Sequence, residues 1–251
     1  VEFDGDNGQA YMLPNAAQYN WLSLGYGTDL EITTNAAQNA VLYKGFTEMR
    51  VHDVTRSADV DVTIAPIVQD LPDWPTRTDN DTVVGKGRPV YFSCGLRKTG
   101  AGALRLTNSN IYTGATEVVE GALLIDSASS KSPVTVKADG RLGGTGVVPS
   151  VTIEAGGGFT AAPGQTGSLT PRALALPDDN RVALDVAYTG DITEVASYEV
   201  PVVKSAGLEN AVWTLTYNGG EPPVNYRLGV SVKNGVVYGR VGRSGMAVIV
   251  R

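Results

Sequence analysis

Three stretches in the middle of the chain repeat one order of apolar and polar positions. Thr116-Glu-Val-Val-Glu-Gly-Ala-Leu123, Val134-Thr-Val-Lys-Ala-Asp-Gly-Arg-Leu142 and Val151-Thr-Ile-Glu-Ala-Gly-Gly-Gly-Phe159 each give a short alternating strand, a polar turn with Gly, and a second apolar residue two places on. Gly102-Ala-Leu104-Arg-Leu106 supplies another copy of the second half, and Gly102, Gly121, Gly140 and Gly157 stand 19, 19 and 17 residues apart. The segment from Trp21 to Ile32 shows the same pattern, with Gly27 placed 75 residues before Gly102, close to four periods.

A strand–turn–strand unit of this length cannot bury its apolar residues alone. Winding the chain sets equivalent strands about 4.8 Å apart and pairs their main-chain groups with those above and below. The pattern therefore predicts an all-β parallel β-solenoid. Leu104, Val119, Leu123, Val136, Leu142 and Ile153 are expected to point inward, while alternate Thr and Ser positions, Thr116 included, face water. Gly is expected at the corners, where other residues are strained. Helical signals are scarce: only Asn35 to Met49 offers a short candidate, and its apolar spacing is poor.

From about Leu174 the alternating runs lengthen: Arg181 to Val186, Tyr198 to Val203, Val212 to Tyr217 and Tyr226 to Val232. Asn234-Gly235 between Val232 and Val236 is a strong hairpin signal, and Met246 to Val250 reads as a buried strand. With Pro163-Gly164 and Pro171 as punctuation, residues 1–172 are expected to form the solenoid. Residues 173–251 are expected to form an antiparallel β cap or small sandwich-like domain over its last edge. Val1-Glu-Phe-Asp4 already has strand character with no capping helix before it, so the first coil is expected to present a bare edge. Other copies of the chain, or the rest of a longer surface protein, are the expected partners there.

Composition narrows the field of functions. Hydrophobic residues make up 42% of the 251, enough for a real core, and only 18% are charged. The net charge of −6 and the absence of any Lys/Arg run longer than two argue against nucleic acid and anionic membranes as partners. One cysteine, Cys94, excludes an intrachain disulfide and a cysteine-built metal site. No stretch approaches the roughly 18 apolar residues of a spanning helix. No secretory leader is present, so any export signal is expected upstream of Val1 or already removed.

The same repeat carries a resemblance. Leu96-Arg-Lys-Thr-Gly-Ala-Gly-Ala-Leu-Arg-Leu-Thr107 and Tyr112-Thr-Gly-Ala-Thr-Glu-Val-Val-Glu-Gly-Ala-Leu-Leu-Ile125 resemble the passenger-associated repeat of bacterial autotransporters. Leu142-Gly-Gly-Thr-Gly146, Ala162-Pro-Gly164 and Gly167-Ser-Leu-Thr170 match the usual sequel of that repeat. The resemblance covers about residues 96–170. It implies a right-handed parallel β-helix exported across the inner membrane and displayed outside the cell, and it implies little about activity. The C-terminal part departs from a complete autotransporter, because it lacks the long amphipathic strands and aromatic girdles of a membrane barrel. This segment is therefore not expected to insert into a membrane.

Candidate chemistry is thin. His52, the only histidine, would have to serve any Ser-His-Asp or Cys-His arrangement, and the plainer reading is a strand histidine with no chemical role. Cys94 reads as a small buried hydrophobe. Asp53, Asp59 and Asp61 lie close together, with Asp59 and Asp61 on one strand face, and Asp79 and Asp81 pair in a loop. Either pair is able to bind a cation or act as acid and base, but neither is followed by matching acids one coil later. Asp4-Gly-Asp-Asn-Gly8 resembles the start of a calcium loop but lacks its later ligands, so no cofactor is expected, with calcium the weak alternative. Gly143 to Gly146 and Gly156 to Gly158 precede no helix and are corners rather than phosphate cradles. Tyr19, Trp21, Tyr26 and above all the loop residue Trp74 are the candidates for stacking on a sugar. The expectation is a non-catalytic structural solenoid of a bacterial surface: a stalk, surface-layer or filament component. A glycan-binding adhesin using loops near Trp74 is the first alternative, and a polysaccharide lyase or hydrolase the second.

Overall fold

The computed structural model describes residues 2–5, 30–32, 40–41, 45–65, 67–69, 93–128 and 131–244. Among these the chain is all-β, and its one helical element is the 3₁₀ turn Ile192–Glu194. The helix candidate between Asn35 and Met49 is not one: Ala40–Val41 and Gly45–Arg50 are strands. Its poor apolar spacing offered a helix no single face to bury.

The described strands assemble mainly into one 13-stranded sheet whose neighbouring members pair in parallel, apart from Glu2–Gly5. The strands Thr116–Ile125 and Val134–Gly143 run through a corner, so the sheet has two faces. On the first face Met49, Lys98, Val118, Val136 and Ile153 occupy successive rungs of one column. On the second, Val62, Leu104, Leu123, Leu142, Phe159 and Leu184 do the same, and every one of them is buried. Leu30 pairs with Val62 at one end of that column and Leu215 with Leu184 at the other. Each fully buried aliphatic side chain is worth about 1.5–3 kcal/mol relative to exposure, so the two columns dominate the favourable side of folding.

Five of the six expected inward residues are in these columns. Val119 is not: it is only half-buried, and its neighbour Val118 takes the rung. Between Val136 and Asp139 the adjacent strand carries an extra residue opposite Val119, a bulge that resets the alternation at the corner. Thr116 also departs from expectation, being fully buried rather than facing water. Strict alternation puts Thr116 on the same side as Val118. Its hydroxyl is satisfied there by the Tyr112 hydroxyl at 2.6 Å and the Ser132 hydroxyl at 2.7 Å, both residues buried.

The corner glycines meet a steric demand. Gly121 has φ +68°, and a Cβ there would lie 2.5 Å from the carbonyl oxygen of Gly100 on the previous rung. Gly102 has an ordinary φ, but its Cβ would sit 2.5 Å from the carbonyl oxygen of His52. The period of Gly along the sequence is thus the period of main-chain contact between rungs.

Parallel pairing does not stop at residue 172. Arg181–Val186 and Val212–Tyr217, expected as antiparallel, add two more parallel rungs. Alternation reports which face of a strand is buried, not the direction of its neighbour. Beyond residue 172, antiparallel strand pairing among the described residues is confined to Ser197–Lys204, Tyr226–Lys233 and Val236–Arg243, which form a separate three-stranded sheet. Asn234 and Gly235, at φ +53° and +75°, make its hairpin turn as the sequence predicts. Leu169 bridges Val203 in parallel and joins this sheet to the pair Val147–Val148 and Thr170–Pro171. Near the N-terminus Glu2–Gly5 pairs antiparallel with Gly45–Arg50 and is the edge strand of the sheet among the described residues.

Leu123→Asp is expected to cost about 4 kcal/mol or more, since it buries an unpaired charge between rungs. Thr152→Asp, on an exposed outward position, is expected to change stability by under about 0.5 kcal/mol. Urea denaturation of the two variants checks this. Equal losses would show the inward and outward assignments to be wrong.

Candidate functional site

The corner between the two faces gathers most of the chemistry among the described residues. Between Gly45–Arg50 and Val62–Ile64 the chain makes a long excursion, whereas the next rung turns within a few residues. Asp61 closes that excursion. It is buried, and its Oδ1 accepts the N–H groups of Val54 and Thr55 at 2.9 and 3.0 Å. Its Oδ2 accepts the N–H of Ala103 at 2.8 Å, which ties the loop to the following rung. Asp53 accepts the N–H of Arg56 at 2.7 Å, and Asp59 accepts the Ser57 hydroxyl at 2.8 Å.

Beneath this loop sits Lys98, an ammonium in the apolar column between Met49 and Val118. Its side chain is fully buried, and Nζ turns to the corner. It donates to the carbonyl oxygens of Gly100 at 2.6 Å, Glu120 at 2.8 Å and Thr99 at 3.2 Å. Burial lowers its pKa from 10.5 to about 8, against the opposing pull of the Glu120 and Asp61 carboxylates.

The outward positions of the second face are mostly small: Ala103, Ala122 and Gly158. With the loop on one side they leave an open groove of about 390 Å³ that also takes in Leu124, Thr160, Ala161 and Ala162. Glu120 and Asp139, paired in register on adjacent rungs, stand at its corner edge, both exposed. Arg141 is the cation in the lining, and its Nη1 donates to the carbonyl oxygens of Gly140 at 2.7 Å, Gly156 at 3.2 Å and Ala138 at 3.3 Å. Burial lowers its pKa, while Asp185 and Asp139 oppose that shift. At the far end Asp185 accepts the Thr216 hydroxyl at 2.7 Å and the Gly219 N–H at 2.8 Å. The groove is therefore built to accept hydrogen bonds and positive charge.

Several residues singled out in the sequence land elsewhere. His52 is exposed just beyond the strand Gly45–Arg50 rather than within one. Cys94 opens the strand Cys94–Thr99, paired with Gly45. Asp59 and Asp61 do not share a strand face, since both lie in the loop with one exposed and the other buried. Trp74, Tyr19, Trp21, Tyr26, Asp79 and Asp81 lie outside the described residues, as do Asp6 to Gly8 of the calcium-like string and the strand expected at Met246 to Val250.

Lys98, Glu120, Asp139 and Arg141 were missed. The sequence did hold a signal for two of them: Glu120-Gly121 and Asp139-Gly140 put an acid before consecutive repeat glycines, 19 residues apart. Those are the matching acids on successive rungs that the other Asp pairs lacked. Comparison with known families matches residues 96–125 to the passenger-associated-transport-repeat, the segment that carries Lys98, Glu120 and the corner glycines. Comparison with curated proteins finds no match.

Lys98 gives the fold a pH signature. Below pH 8 the lysine is protonated whether the chain is folded or not. Between about 8 and 10.5 the unfolded chain binds a proton that the folded chain has lost, so the lysine's contribution to stability rises with pH across that window. Denaturant titrations at several pH values should show the wild type gaining on Lys98→Met between those limits. Parallel pH curves for the two proteins would contradict the buried, destabilised ammonium.

Proposed function

We propose that this chain is a non-catalytic segment of a right-handed parallel β-solenoid, displayed outside a bacterial cell as a stalk, surface-layer or filament component. The observation that carries the reading is the parallel stack of rungs among the described residues. Its central rungs include the passenger repeat at residues 96–125. A passenger repeat implies a secreted or surface protein, and no helix among the described residues is long and apolar enough to cross a membrane.

The physical properties suit a scaffold. Nearly every rung adds the same inward side chains and the same main-chain bonds, so length is gained without a new core design. The outward ladder on the first face places Glu48, Arg97 and Glu117 on consecutive rungs, and Arg97 pairs with Glu117 at 2.8 Å. Alternating charge along the axis limits like-charge repulsion between rungs. The three-stranded antiparallel sheet serves as the cap at one end, with the position of Gly239 packed close to Leu184 and Val186.

Antibody labelling of intact source cells tests the placement. The chain should be labelled without permeabilising the cells, and should be lost after brief external protease. Labelling that requires permeabilisation would contradict surface display. In the same vein, the purified chain should leave acidic polysaccharides uncleaved, and sustained cleavage would return the lyase reading.

A further inference from the structure

We propose that the groove on the outer side of the second face is a docking site for an extended, Lys- or Arg-rich segment of a partner polypeptide. This goes beyond the scaffold reading, which asks nothing of the groove.

Shape and floor come first. The groove follows the rungs from Ala103 through Ala122, Arg141, Thr160 and Asp185 to Thr216. Five steps of about 4.8 Å make it about 24 Å long, the span of about seven residues of extended chain. Ala103 and Ala122, both half-buried, offer methyl surface on its floor, Leu124, Ala161 and Ala162 lie buried beneath it, and Arg141 is the one long basic side chain along its course. Aliphatic stems of Lys and Arg cover such a surface while their charged heads reach outward.

Charge then selects the occupant. Six carboxylates line the groove, those of Asp53, Asp59, Asp61, Glu120, Asp139 and Asp185, against one cation, Arg141. The Arg141 guanidinium is committed to three main-chain carbonyls, and Asp61 and Asp185 are committed to main-chain N–H groups. Glu120 and Asp139 are exposed and make no side-chain hydrogen bond among the described residues, though Glu120 couples to the Lys98 ammonium and Asp139 to the Arg141 guanidinium through space. Two exposed carboxylates on neighbouring rungs therefore face the groove, and a concave wall concentrates their field. An apolar floor with acidic edges is complementary to a segment whose basic side chains alternate with small ones. A neutral glycan would gain hydrogen bonds at the edges but no charge attraction, and an acidic one would be repelled.

The test uses the 251-residue chain and a fluorescent peptide of about ten residues alternating Lys and Ala, followed by anisotropy at low and at physiological salt. The peptide should bind, and its lysine-acetylated form should not. Glu120→Gln with Asp139→Asn should weaken binding by about threefold to tenfold, as expected for two partly exposed charge contacts. Glu194→Gln with Glu209→Gln removes the same charge from exposed positions outside the groove and should leave affinity within about twofold. Ala122→Lys, which sets a cation of the chain's own on the floor, should abolish binding while leaving the thermal midpoint near that of the wild type. Absence of binding, equal loss in the two acid-to-amide pairs, or binding that survives Ala122→Lys would each overturn the proposal.

Discussion

A single turn of this chain has nowhere to hide its apolar side chains, and its main-chain N–H and C=O groups have no partners within the turn. Both shortages are met by the same act, laying the next turn in register on the last. Val62, Leu104, Leu123, Leu142, Phe159 and Leu184 then meet as one column, and the hydrogen bonds follow from the same alignment. Because a slip of one residue would turn a whole rung inside out, burial enforces the register along the stack. Small corner residues follow as a consequence. Rungs held this close bring the carbonyl of one corner against the Cα of the next, where Gly121 and Gly102 are required.

The polar residues inside the stack obey this geometry instead of disturbing it. Lys98 occupies a rung that a hydrophobic residue would fill, and its four-carbon stem is buried as one. The cost is desolvation of the ammonium, seen in its lowered pKa. The return is three bonds to carbonyls at the corner where the rungs turn. Thr116 is accommodated the same way, through a chain of hydroxyls running to Tyr112 and Ser132. Outside the stack, Asp61 does for the long corner loop what Lys98 does for the tight one, with the opposite charge. The groove exists because these corners hold still while small residues line the face beside them.

Much of this fold was legible because the repeat is a physical period. The spacing of Gly102, Gly121 and Gly140 announced the corner, and alternation announced Leu104, Leu123, Leu142 and Ile153 as core. Asn234-Gly235 announced its hairpin, since two successive residues at positive φ suit few other sequences. The failures have equally definite causes. Val119 was misplaced because a bulge opposite it resets the alternation, and bulges leave no mark in one strand's own sequence. Arg181–Val186 and Val212–Tyr217 were assigned to an antiparallel unit because alternation carries no direction. The groove was harder still. Glu120 and Asp139 look like ordinary surface acids until the register sets them side by side, and Lys98 looks like a solvated charge until the column closes around it.

Residues far apart in sequence sit on one axis at a fixed step. Glu48, Arg97, Glu117, Thr135, Thr152 and Ala175 are successive outward rungs of the first face. Spin labels on Glu48→Cys and Ala175→Cys, in a Cys94→Ala background, report the length of that ladder by pulsed electron resonance. Five parallel steps predict a single narrow distance of about 24 Å, broadened only by the label linkers. A distribution centred beyond about 35 Å, or one with no defined maximum, would contradict the in-register stack on which everything else rests.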